Sequence, residues 1–183
     1  MLENFLIEHC SPTLASLKTA NLFTYSFSSI NELKAHLTDK NRELNSKGIF
    51  LEILQLKETF ALIFVYRKRK LEEDLQNHRT SEFLLNFGYT DFSSSSCIEN
   101  LKRQFELSDQ FPHEIGLFLG YPLDDVIGFI KNSGKHCKCT GCWKVYCNEC
   151  ESMKLFEKYK KCKCIYEKLF SLGRTITQLT VAA

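Results

Sequence analysis

Two apolar runs, Ile49–Leu56 and Phe60–Tyr66, separated only by Lys57-Glu58-Thr59, constrain this chain more than any other feature. Their length and their β-branched and aromatic content predict a pair of strands, and the short polar break between them predicts a hairpin. Phe60–Tyr66 is apolar at every position. Such a strand has no face to give to water, so it belongs inside a sheet covered on both sides.

The rest of the chain supplies the cover. Ser29 and Glu32 have capping-box spacing, and Ile30, Leu33, Leu37 and Leu44 then share one helical face. Gly48 suits the left-handed turn just past that helix. Further helices are expected at Pro12–Lys18, Thr80–Phe87 and Ser96–Leu107. A longer one is expected at Cys150–Leu172, with Leu155, Phe156, Tyr159, Cys162, Tyr166, Leu169 and Phe170 on its apolar side. The basic run Arg67–Lys70 is followed at once by Glu72-Glu73-Asp74, so it reads as a solvated helix start whose charges cancel within a Debye length. The expected fold is α+β, a single domain over residues 1–183. Its small antiparallel sheet would use the two apolar runs and Trp143–Tyr146, with Leu22–Phe27 as a candidate further strand, all covered by helices.

A hydrophobic fraction of 44% is enough for a core, and only three Pro and eight Gly argue against long linkers. Charge is uneven. Residues 1–130 hold 13 Lys/Arg against 18 Asp/Glu (net −5), and residues 131–183 hold 11 against 4 (net +7). The basic, cysteine-rich last third could meet an anion or an acidic partner, although a solvated lysine-rich helix gives the same composition. The N-terminus carries acids where a secretion signal would be basic. The longest apolar run is about seven residues, against the ~20 that span a bilayer. The expectation is a cytoplasmic protein without membrane contact, whose nine cysteines are thiols or metal ligands more than disulfides.

Phe111–Ile130, FPHEIGLFLGYPLDDVIGFI, reads as two short helices meeting at a corner. Pro112 opens the first, which should run to Leu119; Gly120 turns the chain and Pro122 leads into the second. Gly116 sits where the helices would cross, and Val126 and Ile130 face inward. The order resembles a helix-turn-helix. However, Asp124 and Asp125 occupy the end of the second helix that would face phosphate, which makes nucleic acid an unfavoured partner. The same carboxylates mildly stabilise a helix N-terminus. His113 and Glu114 open the corner, but adjacent helical residues diverge by about 100° and do not converge on one atom.

Seven cysteines lie between Cys137 and Cys164, with Cys139/Cys142 and Cys147/Cys150 as C-x-x-C pairs. Thiolates in such pairs favour zinc or iron–sulfur binding. Trp143–Tyr146 opposes one four-cysteine site. Read as a strand, it sends Trp143 and Val145 one way and Lys144 and Tyr146 the other, and holds Cys142 and Cys147 ~16 Å apart. A smaller site of Cys137, Cys139 and Cys142, with His136 as fourth ligand, stays open. Cys162 is read as a core residue and Cys164 as pointing away. Cys147 and Cys150 fall at a helix start, where the dipole lowers thiol pKa.

HCSPTLASLKTANLF, HEIGLFLGYP within the corner, GCWKVY, LFEKYKKC and the terminal LTVAA together resemble an uncharacterised family of short proteins from anaerobic bacteria, a domain of unknown function. The resemblance covers nearly the whole chain. It implies one intact domain and carries neither a substrate nor catalytic residues.

The favoured reading is a binding module for a small anion, a cofactor or a partner protein. Its pocket would be lined by His113, Glu114, Tyr121, Trp143 and Lys144, with Lys18 as a further candidate. A metal- or thiol-linked redox protein using Cys137–Cys150, and a nucleic-acid-binding regulator using residues 112–131, are the alternatives. No nucleophile–base–orienter set or phosphate loop stands out, so no reaction class is assigned.

Overall fold

β3 (Phe60–Arg67) is the middle strand of a three-stranded antiparallel sheet in a computed structural model of the chain, which describes residues 2–107 and 111–182. β2 (Ile49–Leu56) pairs on one side as the expected hairpin, with a register shift between Ile53 and Gln55. β1 (Ala20–Ser26) pairs on the other, Ala20 opposite Tyr66. Side chains alternate across β3. Leu62, Phe64 and Tyr66 enter one core, and Ala61, Ile63 and Val65 enter the other. This is why the run is apolar throughout.

The Ile63 side is covered by α1 (Leu2–Leu14), α2 (Ile30–Leu44) and α9 (Ile176–Leu179). Ser29 accepts the Glu32 amide at the start of α2. Asn45–Lys47 then adds a 3-10 turn before Gly48, whose φ of 77° lets the chain swing into β2. The Phe64 side is covered by α3 (Lys68–Gln76), α4 (His78–Leu85), α5 (Ser94–Leu107), α6 (Ile115–Phe118) and α7 (Leu123–Lys131). After α7 come a small ribbon, β4 (Cys139–Thr140) against β5 (Lys144–Val145), and the long α8 (Glu149–Ser171). The fold is thus α+β, as expected.

Several details differ from the sequence reading. The first helix is not Pro12–Lys18 but Leu2–Leu14. Proline suits a first helical turn, yet here Pro12 lies in the last turn, and the repeat Leu2, Leu6, Cys10, Leu14 is the buried stripe. The first corner helix is a single turn, Ile115–Phe118, because Pro112–Glu114 form a tight turn ahead of it. Trp143–Tyr146 does not join the main sheet. Its middle pairs with Cys139–Thr140 instead, and β1 is the third strand. Trp143 and Val145 do point inward together, onto Tyr159 of α8. Leu155 is exposed, so the apolar face of α8 begins at Phe156.

Arg67 departs furthest from its expected solvated role. It is 3% exposed. Its Nε donates to Thr13 O and its Nη2 to Leu14 O and Val181 O, each at 2.7 Å. These carbonyls end α1 and follow α9. Lys47 Nζ adds bonds to Thr177 O and Thr180 O. Two cations therefore satisfy the C-terminal carbonyls that a helix cannot bond itself.

Candidate functional site

The α6–α7 corner is closed by side-chain absence as much as by side chains. A Cβ on Gly116 would lie 2.8 Å from Val126 Cγ2, so the helices cross at a distance only glycine permits. Gly120 has φ +74° and turns the chain beside Thr19. The Tyr121 amide donates back to Gly116 O at 2.9 Å. α7 then runs from Pro122 and carries Asp125 toward the ribbon.

Asp125 holds the ribbon in place. It is 2% exposed. Its Oδ2 accepts the Trp143 indole N–H at 2.8 Å. Its Oδ1 accepts the Tyr146 amide at 2.7 Å, the Cys147 amide at 3.0 Å and the Cys147 thiol at 3.0 Å. Burial pushes this carboxyl up, but the four donors outweigh it and hold its pKa below the ordinary carboxylate value. On the same contact Gly128 leaves room for the Tyr146 ring, and where the ribbon meets α8 Gly141 leaves room for the Phe156 ring.

Between corner and ribbon lies a cavity of about 330 Å³, within the range of small-molecule sites. Tyr121 stacks on Trp143 at one wall, with ring centroids 4.8 Å apart. His113 meets the Phe129 ring edge-on at 5.0 Å at another. Ile115, Gly116 and Val126 make an apolar floor. Lys144 stands at the rim: its Nζ lies 5.8 Å from the Phe129 centroid and donates to Gly134 O at 2.7 Å.

Four of the six ligand-binding candidates, His113, Tyr121, Trp143 and Lys144, thus come together on one cavity. Two do not line it. Glu114 is buried and turned away, accepting the Tyr89 hydroxyl at 3.2 Å. Lys18 is 6% exposed, with its ammonium 5.1 Å from the Tyr121 ring centroid. Burial pushes its pKa down to about 8, with the neighbouring Cys142 and Cys10 thiols opposing the shift. Sequence reasoning missed Asp125 and Phe129. Asp125 looked like a helix-end charge because its partners lie 18 to 22 residues downstream. Phe129 had a readable signal, three residues after the inward Val126 on the same helical side.

The cysteines are dispersed. Cys10, Cys97 and Cys162 are buried, and Cys142, Cys150 and Cys164 are exposed. Cys137 lies 3.4 Å from the Thr140 hydroxyl. Cys137, Cys139 and Cys142, the smaller set left open for zinc or iron–sulfur, do not gather. Among the described residues no three His, Cys, Asp or Glu converge as a metal site. Nor is the Cys147 thiol activated by the start of α8. Burial and its bond to the Asp125 carboxylate both push its pKa up, against a smaller opposing bond from the Asn148 amide. Iodoacetamide at pH 7.5 should therefore modify Cys147 at least about ten-fold more slowly than the exposed Cys150, read by peptide mass spectrometry. Equal rates would contradict the thiol–carboxylate bond. At the corner, Asp124 bonds Arg79 at 2.7 Å and Asp125 is committed to the ribbon, so the first turn of α7 presents acids where a DNA reader needs donors.

Residues 6–180 match the family model described as "Protein of unknown function (DUF3793)". The chain belongs to this family. Comparison with curated proteins and with solved structures gives no match. The DUF3793 match begins within α1 and ends just after α9, so the corner, the ribbon and the cavity between them all fall inside it. Among the described residues no helix is long and apolar enough to cross a membrane.

Proposed function

We propose that this member of the DUF3793 family is a single-domain cytoplasmic binding module for a small molecule, seated between the helical corner and the cysteine-bearing ribbon. The supporting observation is the cavity of about 330 Å³ whose walls are two aromatic pairs and whose rim carries one lysine. Few, directed polar groups on an apolar enclosure are the usual make-up of a ligand site. Among the described residues no acid hydrogen-bonded to a base lines the cavity. The one carboxylate lining it among the described residues, Asp125, is already saturated by donors from the ribbon. Binding, not bond-making, is what this lining supports.

Trp143 is the single tryptophan of the chain and forms part of the wall, so all tryptophan emission comes from a residue on the cavity. The neutral fluorescent probe N-phenyl-1-naphthylamine should bind one-to-one, brighten, and quench Trp143 by energy transfer. Thr140→Tyr, which fills the mouth from an exposed ribbon position, should weaken this by about ten-fold or more. Absence of saturable binding, or unchanged binding by the Thr140→Tyr variant, would remove this reading.

A further inference from the structure

The walls are not neutral toward a ligand's polar group. Asp125 has both oxygens engaged: Oδ2 by the Trp143 indole, and Oδ1 by two amides and a thiol. Among the described residues a cationic ligand would find no open carboxylate there, and Glu114 is turned to Tyr89 instead. Lys144 differs. Its ammonium has three N–H donors, and among the described residues only Gly134 O accepts from it, at 2.7 Å. Lys144 is exposed at the rim, with its ammonium beside the Phe129 ring and therefore at the edge of an aromatic slot. Behind the slot, Lys18 places a second ammonium 5.1 Å from the Tyr121 centroid without touching the cavity. Its charge favours an anion through the ring, since opposite charges in a poorly solvated site attract more strongly than in water.

The flat part of the ligand is set by the walls. Tyr121 on Trp143, and His113 against Phe129, present aromatic surfaces on separate sides of the cavity. Rings pack on such walls by offset stacking or by edge-to-face contact. The apolar floor of Ile115 and Val126 has no donor or acceptor for a polar ring substituent.

We propose that the cavity takes a flat aromatic molecule bearing one carboxylate, with the ring between the aromatic walls and the carboxylate on the ammonium of Lys144. This inference rests on the cavity being a ligand site, as proposed above, and adds the chemical class. A carboxylate accepting from an ammonium forms a charge-assisted hydrogen bond, stronger than a neutral one. The matching amide keeps shape and ring but loses the charge.

Displacement of N-phenyl-1-naphthylamine separates the two claims. Phenylacetate and indole-3-acetate are compared with phenylacetamide and indole-3-acetamide, all on the full chain in reducing buffer. The acids should displace the probe at concentrations about ten-fold or more below those of their amides. Lys144→Met should abolish that preference while still binding the neutral probe, and Lys144→Arg should keep it. Because Lys144 is exposed, neither change endangers folding, which circular dichroism will check. Equal displacement by acid and amide, displacement by the amides alone, or displacement by neither overturns the aromatic-carboxylate assignment while leaving the cavity as a ligand site. An acid preference that survives Lys144→Met also overturns it. Failure of the neutral probe itself to bind removes the underlying reading instead.

Discussion

Asp125→Ala is expected to destabilise the protein by about 3 to 4 kcal/mol, because it strands three N–H donors besides the weaker Cys147 thiol. The Trp143 indole and the Tyr146 and Cys147 amides all lose their acceptor. Urea unfolding at pH 7, followed by Trp143 emission, measures the loss, and the emission of the folded variant should shift as the indole is released. The pH dependence has a definite sign. The folded pKa lies below the ordinary, unfolded value. The ionised carboxylate therefore contributes fully above that ordinary value, about 3.9. Its contribution is lost as pH falls through the depressed folded value. The difference between wild type and variant should stay flat from pH 7 to pH 5 and shrink only below about pH 4. A difference that changes between pH 5 and pH 7, or a loss under about 1 kcal/mol, would show that Asp125 is not what holds the ribbon.

Arg67→Ala is expected to cost about 3 to 5 kcal/mol, with a fall in Tm of roughly 10 °C for a chain of this size. It removes the donors to Thr13, Leu14 and Val181 carbonyls in one step. Arg67→Lys should recover only part of the loss, since an ammonium cannot reproduce the fixed fork of the guanidinium. Thermal unfolding of both variants tests this. If Arg67→Lys matches wild type, the planar geometry has no special role. If Arg67→Ala is mild, the two helix ends are held by packing and not by this cation.

What could be read from the sequence follows the range of the interactions involved. β2 and β3 were legible because a buried central strand must be apolar along its own length, and Phe60–Tyr66 states that within seven residues. Gly116 opposite Val126 was legible for a similar reason, since the eleven residues 116–126 of one corner contain both partners. Pro12 misled because its local preference for a first turn conflicts with the stripe of Leu2, Leu6, Cys10 and Leu14, and tertiary burial decided the outcome. Arg67 could not be read at all from its neighbours: its acceptors lie 53, 54 and 114 residues away. The same holds at the site. Trp143 and Tyr121 are aromatic residues in otherwise patterned segments and invited attention, whereas Asp125 and its partner Cys147 look alike in sequence to Asp124 and Cys150, which are exposed. Only the fold distinguishes them.

Gly116, Gly128 and Gly141 each face a branched or aromatic side chain that has claimed the space of a Cβ. A side chain would have to push a neighbour aside within the corner at Gly116, between corner and ribbon at Gly128, and between ribbon and α8 at Gly141, so the wall's frame is closed to variation. Thr140, His113 and Lys144 line the same hollow from exposed positions and bear no comparable burden. A lineage of such proteins could therefore exchange one guest for another by changing rim residues alone, with the scaffold beneath left untouched.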